Sequence, residues 1–393
     1  MGSYNCLALD SHGNPSISYY DFTNCNLKYA HWNGTIWEVQ TVDNEFFTGL
    51  HTSLSFDALD NPHISYTGGP SGLRYAYWTG TAWDIQKTVD AAGSFTSIAI
   101  DSKGYPHISY YSVQNGNNLK YASWTGSTWN IEIIDSNTYV GEFTSLKLDS
   151  TGYPHISYWD FGKNFVNDDL KVAWCDDLGW HIQTVDSAGD VGKFTSLSLD
   201  KNGNTHISYY DIGNGDLKYA VSDGSTWNIQ VVDSPGDVGT DSSLALDSLG
   251  NPHISYTDNT NHVLKYASWN GSAWNIISLG SAGYVGEYTS LPNDQTSLQI
   301  DKNDIASIAY CDWGHYWLKY IIAPDLYSIS IKNVQPNVQP IASLSISPNP
   351  IGVGQTINVS MSLMPAPPTP LERFSSVTLL ITQPDGTNNT LGP

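Results

Sequence analysis

The chain has 393 residues, of which 14% are charged, 40% apolar and 12% aromatic. That balance excludes intrinsic disorder, which goes with few aromatics and many charges. No apolar run approaches the roughly 18 residues of a membrane helix, so no membrane insertion is expected. A formal charge of −22, from 16 basic and 38 acidic residues, disfavours nucleic acid and anionic lipid, because phosphate is bound by Lys and Arg. Tyr (25), Trp (14) and Gly (34) are abundant, as are Ser, Thr, Asn and Asp, which excludes an all-helical protein.

One phrase recurs along the chain. Leu9-Asp10-Ser11-His12-Gly13-Asn14-Pro15-Ser16-Ile17-Ser18-Tyr19 returns around Asp57, Asp101, Asp149, Asp200, Asp247 and Asp301, at spacings of 47, 44, 48, 51, 47 and 54 residues. Each copy predicts four short strands. In the fifth copy strand A is Thr195–Asp200, strand B His206–Asp211, strand C Leu217–Val221 and strand D Trp227–Asp233. Two-residue alternation between Gly-, Asn- and Asp-rich turns is the hairpin pattern. Four antiparallel strands at this period predict a β-propeller blade, so seven copies predict an all-β, seven-bladed propeller. Closure also removes the edge strands that an open array must cap.

Copies one to six open strand D with Trp37, Trp83, Trp129, Trp180, Trp227 and Trp274. Copy seven has no such Trp, and Leu326–Ile331 is assigned as its D strand, closing the ring without help from the N-terminus. The composition changes at Asn333, where Pro336, Pro340, Pro348 and Pro350 mark a linker and a new start. The expected domains are a propeller over 1–332, a linker over 333–340 and a partial β module over 341–393. Alternating strands are read at Ile341–Ile346, Thr356–Leu363 and Ser376–Thr382.

Two resemblances follow from these residues. Ser222-Asp223-Gly224-Ser225-Thr226-Trp227 resembles a shortened Asp-box, and other copies, such as Trp124-Thr125-Gly126-Ser127-Thr128-Trp129, keep the Gly and Trp without the Asp. Over about 330 residues the chain is therefore similar to the BNR/Asp-box-like, sialidase-superfamily propellers. That superfamily includes sialidases, polysaccharide lyases and non-enzymatic glycan binders. Pro348-Asn349-Pro350-Ile351-Gly352-Val353-Gly354-Gln355-Thr356 resembles the opening of Ig-like modules in prokaryotic cell-surface proteins, which implies a truncated Ig-like β-sandwich segment.

A residue present in every blade is read as scaffold, because a site needs one constellation and not seven. His63, His107, His155, His206 and His253 open strand B in five copies, with Ser16 and Ser307 in the other two. They lack a close ligand pairing and are assigned a structural role, an imidazole hydrogen-bonded between blades, to the Asp ending strand A. Lys28, Arg74, Lys120, Lys171, Lys218, Lys265 and Lys319 recur in strand C, with acids such as Asp21, Asp160, Asp211, Asp258 and Asp312 near strand ends. They are expected to form repeated ion pairs. Trp pairs such as Trp32/Trp37 and Trp78/Trp83 are read as cross-strand packing.

Function is expected where the repeat is broken, on the face carrying the D–A and B–C loops. Copy seven has Tyr310-Cys311-Asp312-Trp313-Gly314-His315-Tyr316-Trp317 there, and copy four has a long loop with Asp160, Phe165, Asp168 and Asp169. Phe46-Phe47 precede strand A of copy two, and Leu291–Gln295 extends the sixth D–A connection. Aromatic faces beside carboxylates suit neutral sugars, since rings stack on C–H faces and acids take hydroxyls. The candidate ligand-binding residues are Asp160, Phe165, Asp312, Trp313, His315, Tyr316 and Trp317. Asp160, Asp168, Asp169, Asp294 and Asp312 could supply a glycosidase pair. The two arginines, Arg74 and Arg373, are too few for a sialidase's substrate clamp. A lyase like those of the resemblance would use His315 and Tyr316.

No cofactor is expected. Calcium is the one alternative, in the oxygen-rich loops Val185–Gly192 and Val232–Gly239. Four cysteines make no disulfide framework, but Cys6–Cys25 is read as a possible staple beside the first and last blades. No signal peptide is visible, and Met1-Gly2-Ser3 reads as an added start from which a leader was trimmed. The expected protein is a secreted or cell-surface propeller, a module of a longer surface protein. It would bind glycan or cell-surface polysaccharide, or act as an interaction scaffold; a polysaccharide-degrading enzyme is the alternative.

Overall fold

The computed structural model describes residues 2–69, 72–114, 116–137, 139–162, 168–279, 296–312 and 317–323, and the strand segments 327–329, 341–347, 358–364, 379–382 and 388–391. The repeats form seven four-stranded sheets, each in the order A-B-C-D. In blade 5 the strands are Val191–Leu199, Thr205–Asp211, Asp216–Ser222 and Trp227–Asp233. The A strands pack on one another around the axis, and the first packs on the seventh. The core lies between neighbouring blades. Leu217, Tyr219 and Val232 of blade 5, for example, pack against Val238, Leu244, Ile254 and Tyr256 of blade 6.

The ring closes as the sequence predicts. Gly2–Leu9 is strand A of blade 1, and Tyr327–Ile329 pairs with Trp317–Ala323 as the outermost strand of blade 7. Leu326, Ser330 and Ile331 lie outside the described residues. Trp37 meets Tyr320 edge-on at 5.5 Å across the closing seam. The Leu7 amide donates to Ser297 Oγ at 2.8 Å.

That last bond belongs to a cyclic set. A strand-A amide of each blade donates to a serine of the blade before it: Ile98 to Ser53, Leu146 to Ser97, Leu197 to Ser145, Leu244 to Ser196 and Leu298 to Ser243, at 2.9–3.1 Å. Blade 1 carries Cys6 where the others carry serine, and its Sγ accepts from the Leu54 amide at 3.3 Å. The anticipated Cys6–Cys25 bridge is not formed. Both thiols are free, and Cys25 Sγ donates instead to the Phe22 carbonyl. Cys6 is held inward against blade 2, which is why the pair does not meet.

Strand-C cations pair with the expected strand-B acids, Lys171 with Asp160, Lys218 with Asp211, Lys265 with Asp258 and Lys319 with Asp312, and several take a second partner that was not foreseen. In blade 5 Lys218 pairs with Asp211 of its own strand B at 2.7 Å and with Asp186, the last residue of strand D in blade 4, at 3.2 Å. The Tyr209 hydroxyl donates to the same Asp186 carboxylate at 2.7 Å. The arrangement recurs with Tyr66, Arg74 and Asp43; Tyr110, Lys120 and Asp90; Tyr158, Lys171 and Asp135; and Tyr256, Lys265 and Asp233. Burial alone would push the Asp186 carboxyl up, but the Tyr209 hydroxyl, the Ala188 amide and Lys218 hold it below its usual range. In the sixth repeat Gly280 stands where Asp233 stands in the fifth.

The D-strand tryptophans also cross the seams. Besides packing on Trp32 and Trp78 within their blades, as expected, Trp37 and Trp83 reach neighbours: Trp83 meets Tyr29 at 5.2 Å and bonds Gln40 Oε1 at 2.9 Å. The histidines act within a blade, not between blades. His206 Nδ1 pairs with the Tyr219 hydroxyl at 2.5 Å, and Nε2 faces Asp200 at 3.8 Å. His63, His107 and His253 repeat this with Tyr75, Tyr121 and Tyr266. Where serine replaces histidine, the tyrosine hydroxyl bonds the serine, Tyr29 to Ser16 and Tyr320 with Ser307, both at 2.9 Å. Burial lowers the pKa of all five histidines.

Past the ring, Ile341–Ser347 pairs with Asn358–Met364 and Leu379–Thr382 with Asn388–Leu391, as two separate two-stranded sheets.

His155 lacks a tyrosine partner, because Val172 occupies that register. His206→Ala should therefore cost about 1–3 kcal/mol in urea unfolding, by stranding the Tyr219 hydroxyl, and His155→Ala clearly less. Equal losses would contradict the assigned roles.

Candidate functional site

The loops joining D to A and B to C interlock on one face. The Ile212 amide donates to the Asp190 carbonyl at 2.8 Å, and the Val238 amide to Gly215 at 2.9 Å. Glycine is required at the entry to strand A. Gly141, Gly192 and Gly239 have φ of +104°, +101° and +108°, and a Cβ on each would sit 2.7 Å from a Cα of the adjoining strand C. Asp186 and Asp233, the first acids of the loops considered for calcium, are clasp residues.

Strand A is longer than the sequence predicts because it carries a bulge. In blade 5 the register slips between Val191 and Ser196, and Phe194 adopts φ 55°. The equivalent residues Tyr4, His51, Phe95, Phe143 and Asp241 have φ of 52°, 49°, 53°, 53° and 55°. Side chains other than Gly rarely adopt this backbone, and each instance costs on the order of 1–3 kcal/mol. Here the next blade holds it in place. Thr96 Oγ1 donates to the His51 carbonyl at 2.8 Å, Thr144 to Phe95 at 2.9 Å, Ser242 to Phe194 at 2.9 Å and Thr296 to Asp241 at 2.9 Å.

The result is an aromatic collar at the upper ends of the innermost strands. Ring centroids lie 4.8 Å apart for Tyr4–His51, 4.4 Å for His51–Phe95, 4.6 Å for Phe95–Phe143 and 4.6 Å for Phe143–Phe194. Blade 6 breaks the collar with Asp241. Lys193 lies over Phe194 at 5.0 Å and over Phe143 and Trp159 at 5.6 Å. Burial pushes Glu142 up to about 7, with Lys193 opposing, and does the same to Asp241. Asp168 rises to about 6 through burial and the charges of Asp190, Asp160 and Asp169.

A cavity of about 560 Å³ opens beside the collar, between blades 2 and 3. Phe46, Phe47, Leu50, His51, Thr67 and Ser94 line it. Phe46 and Phe47 are 69% and 47% exposed, with centroids 4.3 Å apart. Thr67 donates to the Gly93 carbonyl at 2.8 Å, so its oxygen accepts the Nδ1 proton of His51 at 3.3 Å. Burial lowers His51 to about 3, so the ring stays neutral with Nε2 as an acceptor.

The expected cluster in blades 4 and 7 is only partly within view. Asp160 is bound to Lys171 at 2.5 Å, and fully buried Asp312 to Lys319 at 2.5 Å, so both carboxylates serve the scaffold. Trp317 opens strand C of blade 7. Phe165, Trp313, His315 and Tyr316, the Trp317 side chain and the Leu291–Gln295 extension lie outside the described residues. The collar, Lys193, Glu142 and Asp241 were missed. Each collar residue stands two before the Ser of the Ser-Leu or Ser-Ile pair in strand A (Cys in blade 1), a repeated aromatic that Asp241 interrupts.

No family model matches the chain, and no curated protein does. Among solved structures, an ulvan lyase bound to a GlcA–Rha3S segment aligns with TM-score 0.54 and 13% identity, over 82% of this chain and 95% of its own. Polysaccharide lyase Uly1 aligns with TM-score 0.54 and 9% identity, over 81% and 88%. A point mutant of the Aleuria aurantia lectin, in complex with Fucα1-6GlcNAc, aligns with TM-score 0.50 and 13% identity, over 74% and 98%. At these identities the likeness shows the fold alone.

The raised carboxyls have a thermodynamic consequence. Between about pH 4 and pH 7 folded Asp241 keeps a proton that the unfolded chain releases, so its contribution to stability falls as pH rises through that window. Asp241→Asn should match the parent near pH 4 and exceed it by about 4 kcal/mol near pH 8 in urea unfolding. A difference that does not change with pH would contradict the assignment.

Proposed function

We propose that the chain is a glycan-binding propeller of the cell exterior, and that the cavity between blades 2 and 3 is a sugar site. The observation that carries this is the pair of exposed rings, Phe46 and Phe47, beside polar groups on His51 and Ser94. Exposed aromatic faces stack on sugar C–H faces, while a neutral imidazole acceptor and a serine hydroxyl take sugar hydroxyls. A net charge of −22 favours a neutral sugar over a uronate. The carbohydrate ligands of the lectin and lyase neighbours support the class of ligand. The aromatic loop of copy seven, with Trp313, His315, Tyr316 and Trp317, and Phe165 of copy four are proposed as further contacts on the same face. The strands after residue 341 are proposed as an Ig-like module that links the propeller to a longer surface protein.

A polysaccharide-degrading enzyme is the second reading. Glu142 and Asp241 favour it, because a glycosidase acid needs a carboxyl that still holds its proton near neutrality.

A glycan array on the parent and on the Phe46→Ala/Phe47→Ala variant tests the proposal, with reducing-end release measured alongside. Binding should fall at least about tenfold in the variant, with unchanged melting, since stacking contacts at a binding centre cost over about 2 kcal/mol. Undiminished binding contradicts the cavity, and release of reducing ends selects the enzyme.

A further inference from the structure

The buried aspartates of the clasps are satisfied by a tyrosine and a cation, but Asp241 is not. It is 7% exposed, its Oδ1 is enclosed, and among the described residues neither a hydrogen bond nor an ion pair reaches its carboxyl. Its backbone matches that of the ring beside it. φ is 55° at both Asp241 and Phe194, and a hydroxyl of the next blade holds the carbonyl of each. The carboxyl is therefore carried to the place in the collar that a ring takes in blades 1 to 5.

The collar already accommodates an ammonium. Lys193 Nζ lies over Phe194 at 5.0 Å and over Phe143 at 5.6 Å, and among the described residues no carboxylate is within ion-pairing distance of it. Lys193 is the one charge that acts on Asp241 and on Glu142, so two acids stand against a single cation. Neighbouring ring centroids are 4.4–4.8 Å apart. A seven-sided ring of that spacing has its axis about 5 Å from each centroid, within the roughly 6 Å at which a ring attracts a cation. The donor set selects the kind of cation. Among the described residues no three His, Cys, Asp or Glu side chains converge as a metal centre requires. A primary ammonium carries three donors and needs more acceptors than one carboxylate among rings. Aromatic faces suit a weakly hydrated organic cation whose methyl groups pack on them. A net charge of −22 draws such a cation to the protein.

We propose that the aromatic collar is a binding site for a small quaternary ammonium ion. The Asp241 carboxylate supplies the countercharge, and the rings of Phe194, Phe143, Phe95 and Tyr4 surround the methyl groups. The site does not rest on the sugar cavity beside the collar.

Titration calorimetry with choline chloride on the full chain tests this, with the neutral dimethylbutanol in which carbon replaces the choline nitrogen as the comparison ligand. Burial pushes Asp241 up to about 7, so the titration is run near pH 8, where the carboxyl is ionised. Saturable one-site choline binding is expected, weakened at least about tenfold in Asp241→Asn, because the bound cation loses its countercharge. Asparagine tolerates the left-handed backbone, so this variant keeps the fold. Phe194→Leu, which keeps bulk and removes the π face, should weaken binding at least about threefold. The neutral analogue should bind the parent at least about tenfold more weakly than choline. Choline carries no sugar and no glycosidic bond, so the result is read apart from glycan binding and reducing-end release. Absence of saturable choline binding overturns the proposal. So does undiminished binding by either variant, or equal binding of the neutral analogue.

Discussion

The five seams from blade 1 to blade 6 are each held by a D-strand carboxylate that belongs to one blade and is satisfied by the next. Asp43, Asp135, Asp186 and Asp233 are nearly inaccessible, at 2–6% exposure. A carboxylate there would be costly alone, since desolvating an unpaired charge is expensive. The Tyr hydroxyl and the Lys or Arg of the following blade remove that cost only when the blades are docked. Burial and the neighbouring carboxylate push the tyrosine pKa far upward, so the phenol always donates. The clasp therefore couples docking to the register of strands B, C and D at once. The amide-to-serine ring does the same at the axis.

This constraint explains where variation is tolerated. Histidine, lysine and aspartate often carry acid–base chemistry and tryptophan often stacks on ligands, and among the described residues nearly every repeated one is already engaged. The chemistry left over sits where the repeat departs from itself: Asp241 in the collar, Lys193 and Glu142 beside it, and Phe46 and Phe47 at the rim. The collar is itself a product of the scaffold. Its left-handed backbone persists because hydroxyls of the next blade, such as those of Thr96 and Thr144, hold its carbonyls.

The fold was legible because a blade is a short-period pattern written seven times. Strand type, blade count and the weak seventh outer strand all followed from alternation and turn residues. The regular recurrence of the histidines, strand-C cations and tryptophan pairs was legible in the repeat. Their partners were only partly so, because a seam joins residues about 20 to 45 positions apart that no local pattern relates: Asp186 with Tyr209 and Lys218, Trp83 with Gln40. The bulge was illegible for a local reason. It breaks the two-residue alternation at Phe143 and Phe194, so strand A was begun at the following threonine and the collar was left out. Asp160 and Asp312 were read both as ion-pair partners and as ligand contacts, because a carboxylate at the end of strand B reads the same whether it meets a ligand or a lysine; the lysine pairing is the one in view. Cys6 was misjudged because a thiol standing in for a serine hydroxyl looks like half of a disulfide.

The central claim, that buried D-strand carboxylates lock blade to blade, is tested most directly by urea unfolding of Asp186→Ala. The account predicts a loss of about 3–5 kcal/mol, since the variant leaves Lys218 and the Tyr209 hydroxyl buried without their shared partner. A loss below about 1 kcal/mol, the range of an exposed ion pair, would contradict it.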